Sequence, residues 1–587
     1  LTFLVIGIVL PVRVGKAVVE GFFFKRRGGA SRICLGWQPI IRPVRLRSAR
    51  FSWSTLLPGL AIVLLALLQA HWSLTRLRKL TPDSLNYVDV AENLLAGRGL
   101  VQDAVGYGEG RFPTRFQIPQ PMGVHGPLYP LAIASLSELG VGPRDAAFYI
   151  PAAAFLGIVL LAWALMRRLY DGETGLWAAL LLSVSFPLRE MATTAWSEPL
   201  ALFVLLLSLL LLVPPVARPG AVRLLLAGLF AGLAFATRYP LVVAVVFGGL
   251  LLLRRDGARP NLRRLLWYGL GFSAVAAPIV LRNLVNTGLL TGAIRNPSTI
   301  GFADNLRDGL RILFGEYLAS RRAHPGAELP QEVAAAALML LLAVRLTRRR
   351  SWTRVLASNG RIALVLWAVG FSAYLIVQRS LTHFDYLHPR LLSPAHLFLM
   401  LLAAVALREL LPIGRGWVAA LVMVAALSQS VLPAQRIATT PRRPRRPRAY
   451  LTARHRWLLR HTTPDDLIIG MRCLDIPFLL GRPCLYFSSY PEMLPITYRD
   501  ICQVARQACP RYRELILSIE GDPDDAGGAE AFGPFVDDLS RGHLEPYPAI
   551  ELRARVKNGS FYRIVCARCR KDSDPDPPLA PAGGSVY

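Results

Sequence analysis

The sequence predicts a polytopic all-α transmembrane protein carrying a small α/β domain at its C-terminal end. Of its 587 residues, 53% are hydrophobic and only 18% charged, with a mean hydropathy of +0.39. That is too apolar for one large soluble enzyme. About eleven apolar segments alternate with short Arg-bearing loops, the pattern of membrane spans oriented by positive charge. From Tyr450 onward the pattern changes to short strand-like and helical stretches, and six of the seven cysteines fall there.

The formal charge of +29 would point to nucleic acid in a soluble protein. Here the arginines sit in loops between apolar spans, so membrane lipids, with their anionic headgroups, are the expected counter-charge and no nucleic acid is implied. The chain begins with Leu1 and has no methionine before Met122, as expected for a non-standard start codon or for first residues foreign to the natural protein. Residues 1–53 form a basic segment with Arg26, Arg27, Arg32, Arg42, Arg45 and Arg47, which the positive-inside rule keeps in the cytoplasm.

The transmembrane part covers residues 54–433. Its first span, Thr55 to Trp72, leads to an outer loop over 73–144 that opens on Thr81-Pro82-Asp83 and an amphipathic segment with Tyr87, Val90, Leu94 and Leu95. Asp83 has two readings: a base held at the bilayer surface beside a lipid-borne substrate, or the N-cap of a juxtamembrane helix, for which Asp after a helix break is well suited. Asp89 and Glu92 are assigned to solvent. Leu128 to Leu139 is half-apolar and either lies in the interface or starts the next helix.

Spans follow at Ala147–Met166, Gly175–Met191, Pro199–Val213, Arg223–Ala236, Leu241–Leu253 and Leu265–Leu281, the last leading into a second outer loop over 282–330. Gln331–Val344, Arg361–Val377, Leu391–Leu407 and Trp417–Leu432 complete the set. An odd number starting inside ends outside. The residues Pro441 to Arg448, with five arginines, oppose that orientation locally; the sum over all loops outweighs them. They belong to an Arg/Pro linker over 434–449, and lipid phosphates are their natural partners.

Residues 450–571 read as a compact α/β layer. Strand-like Asp466–Gly470, Cys484–Phe487 and Glu514–Ile519 alternate with helical Leu474–Leu480, Ile496–Ala508 and Phe532–Leu539, before a hairpin of Ile550–Val556 and Phe561–Val565. An even number of cysteines confined to this part fits disulfides in an oxidising, extracytoplasmic compartment. Cys566 and Cys569 alone could form half a zinc site, but no second close-spaced pair accompanies them. Asp522-Pro523-Asp524 reads as a solvated turn, and the Pro- and Asp-rich residues 572–587 as a disordered tail.

An outer Asp83 after the first span, Tyr87, Ala91-Glu92-Asn93-Leu94-Leu95 and Gly97-Arg98-Gly99 together resemble the GT-C glycosyltransferases that use lipid-phosphate sugars. The similarity is to the bacterial protein O-mannosyltransferase-like and aminoarabinose-transferase-like enzymes (glycosyltransferase family 39-like) and spans roughly Leu56 to Leu407. His125-Gly126-Pro127 resembles the family's basic-residue-Pro-Pro motif, with Gly126 in place of the first proline. Ser197-Glu198 sits where the family places its second acidic residue, Arg238 and Arg282-Asn283 match later positions, and Asp385 to Pro394 resembles its late Arg-Pro motif. The Trp-Trp-Asp motif of oligosaccharyltransferases is absent from the sequence.

The resemblance implies a GT-C fold and transfer of a sugar, as a hexosyl or pentosyl unit, from a polyprenyl-phosphate-linked donor to a glycan, lipid or protein acceptor. It further implies a multi-pass enzyme of the cytoplasmic membrane with inversion at the sugar. Asp83 is the expected general base, and Glu198 orients the acceptor or shares a metal with Asp83. Arg282, Arg390, His383, His125 and Arg238 are the expected donor-phosphate ligands. No cofactor is required, although a divalent metal is compatible with the two carboxylates. The simplest alternative for Glu198 is a carboxylate favoured by a helix N-terminus. A lipid-linked-sugar transporter or flippase would show internal repeats, and a non-enzymatic membrane scaffold would not explain why Asp83, Glu198, His125 and Arg282 all map to one face.

Overall fold

The computed structural model describes residues 53–76, 78, 80–106, 118–213, 219–256, 262–292, 297, 298, 300–313, 359–382, 387–410, 451–471, 475–487, 497–519, 534–556 and 559–571. The expected basic segment, the spans at Gln331–Val344 and Trp417–Leu432, the Arg/Pro linker, the Asp522 turn and the tail lie outside them.

Helix α1 (Trp53–Arg76) is followed by α2 (Pro82–Leu95), three short strands β1 (Val101–Gln102), β2 (Ala104–Gly106) and β3 (Gln120–Pro121), and α3 (Leu128–Glu138). The bundle continues through α4 (Pro143–Leu169), α5 (Gly172–Ser183), α6 (Phe186–Thr193), α7 (Glu198–Leu212), α8 (Ala221–Thr237), α9 (Val243–Asp256) and α10 (Leu262–Thr287). Then come α11 (Phe302–Arg311), α12 (Asn359–Val365), which runs through a π-turn into α13 (Phe371–Leu381), and α14 (Ser393–Leu410). One continuous apolar core joins these helices. Among the described residues, Pro143–Leu169, Leu262–Thr287 and Arg361–Leu381 are long and apolar enough to cross a membrane. Shorter apolar helices cover Gly59–His71, Ala221–Thr237, Tyr239–Leu253 and Ser393–Arg408.

Several sequence expectations need correction. The span expected at Gly175–Met191 is broken: α5 ends at Ser183, Pro187 opens α6, and α6 meets α7 at 120°. Pro187 starts a new helix readily but cannot donate to the preceding one. Arg282 and Asn283, expected to open a loop, lie within α10, which runs on to Thr287. The Leu128 segment is a helix of its own, parted from α4 by Gly140 at φ 90°.

Close backbone approach sets where the functional ends of these helices lie. A Cβ on Gly228 would stand 1.9 Å from the Tyr268 carbonyl oxygen, and one on Gly271 would stand 2.0 Å from that of Leu225. Glycine at both positions lets α8 and α10 pack backbone to backbone, as small residues do in membrane helices. Arg238, just after α8, and Arg282, near the end of α10, therefore emerge on the same side.

The remaining elements are α15 (Ala453–His461), β4 (Leu467–Met471), α16 (Asp475–Leu480), β5 (Cys484–Phe487), α17 (Tyr498–Ala508), β6 (Leu515–Ile519), α18 (Pro534–Arg541), β7 (Ile550–Val556), β8 (Gly559–Ile564) and α19 (Cys566–Lys571). They form a six-stranded sheet in the order β2-β5-β4-β6-β8-β7. Ala104 pairs with Cys484, and Cys484 with Ile468, both in parallel, while β6 and β8 pair antiparallel. Side chains alternate with the strand period of two: Leu467, Ile469, Leu515 and Leu517 pack against α17 and α18, and Ile468 and Ile516 against α15 and α16. The edge strand β2 comes from the loop after α2, so the sheet is not built from the C-terminal residues alone.

Two disulfides, Cys502–Cys569 and Cys509–Cys566, tie α17 to α19, and Cys484 is also disulfide-bonded. Replacing Cys502 and Cys569 by serine is expected to lower the unfolding free energy of this sheet by about 2–4 kcal/mol. Limited proteolysis against denaturant measures it, and an unchanged midpoint would show that the crosslink adds nothing.

Candidate active site

The site grows from the N-terminus of α2. Thr81 is the N-cap in a reciprocal capping box with Ser84: the Thr81 hydroxyl accepts from the Ser84 backbone N–H at 3.3 Å, and Ser84 Oγ from the Thr81 N–H at 3.2 Å. Asp83 is therefore not the cap. Its carboxylate faces Arg390, with Arg390 Nη1 at 2.5 Å from Asp83 Oδ2. Arg390 lies in the turn before α14, and its Nε donates to Oε1 of Glu198, the first residue of α7. The same oxygen accepts from Arg238. Two guanidinium groups and two carboxylates thus form one chain, with Glu198 1% exposed, Arg390 10% and Asp83 28%.

Burial pushes the Asp83 carboxyl up, but the charges of Arg390 and then His125, with the hydrogen bond from Arg390, outweigh it and hold Asp83 well below the ordinary carboxylate range. Burial likewise opposes the charge of Arg390, which Glu198 and Asp83 hold above its ordinary value. Tyr87, one turn after Asp83, is pushed up to about 12 by burial and then by the Asp83 charge. Its hydroxyl lies 3.1 Å from Ser197 Oγ and 3.5 Å from His125 Nδ1, and its ring meets Tyr129 edge-on.

His125 is held there by its neighbour. A Cβ on Gly126 would fall 2.3 Å from the Ala236 carbonyl oxygen and 2.6 Å from that of Thr237. Glycine at this position thus lets this loop press on the end of α8, beside Arg238.

Asp83, Glu198, Arg390, Arg238 and His125 are brought together. Arg282 has other partners: it donates to the carbonyls of Met122 and Leu100, each at 2.7 Å, strapping the β1 and β3 segments to α10. His383 lies outside the described residues. The Arg390 guanidinium lies between Asp83 and Glu198, the two carboxylates for which a shared metal was one of two readings. Among the described residues no three His, Cys, Asp or Glu side chains are grouped as a metal site requires.

Three features escaped the sequence reading. Trp196 stacks on Arg390, its ring centroid 4.6 Å from the guanidinium carbon. Ser197, named in the sequence only as the neighbour of Glu198, meets the Tyr87 hydroxyl. Asp89, assigned to solvent, is buried and accepts from the Asp103 backbone N–H at 2.7 Å. Residues 84–91 of α2 are buried on every side, because α3, α4, β1 and α16 pack around the helix and cover the face a lone amphipathic helix would show to water; only the long-range fold supplies that cover.

Residues 124–282 match the family model described as dolichyl-phosphate-mannose-protein mannosyltransferase, a segment that includes His125, Glu198, Arg238 and Arg282. ArnT from Cupriavidus metallidurans bound to undecaprenyl phosphate superposes with a TM-score of 0.51 at 15% identity, covering 86% of this chain and 97% of ArnT. The chain shares the fold of ArnT. The chain is also similar to the archaeal oligosaccharyltransferase AglB from Archaeoglobus fulgidus, in complex with an inhibitory peptide and a dolichol-phosphate. That similarity has 13% identity and a TM-score of 0.49, covering 87% of this chain and 74% of AglB. No curated protein matches the sequence.

The buried Asp89 gives a pH prediction. Burial and then the neighbouring Asp103 carboxylate raise it to about 7, against the hydrogen bonds from the Asp103 and Ala104 backbones. The folded state therefore holds this proton where the unfolded chain releases it near pH 4. That contribution is complete below about pH 4 and is lost as pH rises toward 7. Asp89→Asn is expected to flatten the fall in thermal stability between those values; an unchanged pH slope would contradict it.

Proposed function

We propose that the protein transfers a sugar from a polyprenyl-phosphate donor to an acceptor hydroxyl at the outer face of the cytoplasmic membrane, inverting the anomeric carbon, with Asp83 as general base. The observation that carries this reading is the Arg390 guanidinium between Asp83 and Glu198. Such a site pairs a proton acceptor with a phosphate-binding group on adjacent atoms. The transfer of a phosphate-borne sugar to a hydroxyl needs both.

In this reading the acceptor O–H gives its proton to Asp83 while its oxygen bonds to the anomeric carbon from the face opposite the phosphate. The bond from that carbon to the phosphate oxygen breaks, and the electron pair leaves with the polyprenyl phosphate. Arg390 and Arg238 offset the charge that gathers on the leaving phosphate; Arg suits this because its planar fork matches phosphate oxygens. Glu198, buried and accepting from both, keeps the two guanidinium groups adjacent. The depressed Asp83 is a weak proton acceptor while Arg390 faces it. A phosphodiester that draws on Arg390 weakens that hold, and the base gains basicity when donor is present.

The membrane arrangement in this proposal is about eleven spans with the N-terminus inside and the C-terminal sheet outside. Pairing of β2 with β5 supports one side for the Asp83 loop and the sheet, since paired strands cannot be parted by a bilayer. The disulfides support an oxidising compartment for that side. Undecaprenyl phosphate bound to the similar ArnT supports the lipid-phosphate class of donor, with a glycan, lipid or protein as acceptor.

Asp83→Asn keeps size and leaves the Thr81 cap intact. Transfer from a polyprenyl-phosphate sugar in reconstituted vesicles is expected to fall by at least about a hundredfold, within the usual range of a general base, with donor binding far less changed. Undiminished transfer by this variant would remove Asp83 from the chemistry, and movement of the lipid-linked sugar without any transfer by the wild type would make the protein a flippase.

A further inference from the structure

We propose that Trp196 is a positioning residue for this reaction, fixing Arg390 and the N-terminus of α2 with respect to each other. The proposal rests on the transfer reading above and adds to it the element that holds phosphate ligand and base in register.

Trp196 sits in the break between α6 and α7, where the chain turns by 120°. The residue before it, Ala195, has φ 54°, a left-handed backbone that a non-glycine residue adopts only when its surroundings impose it. This turn aims the indole at two things. Its ring faces the Arg390 guanidinium at 4.6 Å, within cation–π range. Its Nε1–H donates to Thr81 Oγ1 at 2.8 Å. A second tie runs parallel to the first, because Ser84 Oγ donates to the carbonyl of Thr194. Asp83 lies in the chain between Thr81 and Ser84, so both of its flanks are fastened to the same break that carries Trp196 and Glu198.

The consequence is a division of labour within one side chain. The aromatic face restrains Arg390, whose other side-chain partners among the described residues are Glu198 and Asp83, and it does so without taking the guanidinium edge that a phosphate needs. The indole N–H places α2, and with it the Asp83 carboxylate, against that guanidinium. Misplacement of a reacting group by about 1 Å costs catalysis far more than binding.

Trp196→Phe keeps an aromatic face and removes the N–H; Trp196→Met removes both. Full-length protein in detergent is titrated with undecaprenyl phosphate lacking a sugar, and kcat for transfer is measured in vesicles. For Trp196→Phe the expected result is unchanged lipid-phosphate affinity with kcat lowered about tenfold. For Trp196→Met the affinity is expected to weaken as well, by roughly fivefold to thirtyfold for loss of a desolvated cation–π contact. Equal affinities for the two variants, or wild-type kcat for Trp196→Phe, would overturn the proposal while wild-type transfer leaves the reaction standing. Should Trp196→Met lack a thermal transition, the split between kcat and affinity in Trp196→Phe decides alone. A wild type that neither binds the phosphate lipid nor transfers sugar is the different failure, that of the transfer reading itself.

Discussion

A guanidinium held between two carboxylates at the end of a helix bundle constrains everything near it. Removing charge from water is expensive, and a buried ion pair is tolerated only when each member finds a partner of opposite sign in good geometry. Arg390 meets that condition through Glu198 and Asp83, and Arg238 through Glu198. Four remote parts of the chain must therefore arrive together: the start of α2, the break before α7, the end of α8, and the turn before α14. The features that looked like independent details, namely the Thr81 cap, the bend at Ala195 and the Gly126 approach to α8, are the local conditions under which those parts can meet.

The same constraint joins the bundle to the sheet. Asp89 accepts from the backbone of Asp103, and Asp103 in turn accepts from the Cys484 backbone N–H at 3.1 Å. The helix that bears Asp83 is thus clasped from the far side by the strand β2 that extends the sheet. Covering α2 this way keeps water from most of its surface. An electrostatic site of this kind gains most when water is excluded, because the effective dielectric falls.

Much of this was legible in the sequence. Hydropathy and loop arginines identify a membrane helix bundle. The period-two and helical patterns after Tyr450 locate strands and helices that coincide closely with β4 to β8 and α16 to α18, since those strands are short, apolar and bounded by turn residues. Asp83 could be named because it follows an apolar span directly, whereas Glu198, Arg238, His125 and Arg390 were named through the resemblance to the GT-C glycosyltransferases. What escaped has a common physical cause. The burial of Asp89, the strapping role of Arg282 and the stacking of Trp196 all depend on partners distant in sequence: 14 residues for Asp89 and Asp103, 182 for Arg282 and Leu100, and further still for Trp196 and Arg390. Local periodicity carries no record of them. The broken span at Ser183 to Thr193 was hidden because Pro187 inside an apolar run reads equally as a kink or as a new start.

The most direct test is a double-mutant cycle on Arg390→Gln and Glu198→Gln, with unfolding stability measured in the same detergent for the wild type, both single variants and the double variant. The geometry predicts strong coupling: Arg390→Gln leaves buried Glu198 with Arg238 as its remaining partner, Glu198→Gln leaves Arg390 with Asp83, and the double change removes both members of the shared pair, so the interaction energy is expected to exceed about 1 kcal/mol. Additive effects within about 0.3–0.5 kcal/mol would mean that the two side chains do not hold one another, and the site would have to be rebuilt without Arg390 at its centre.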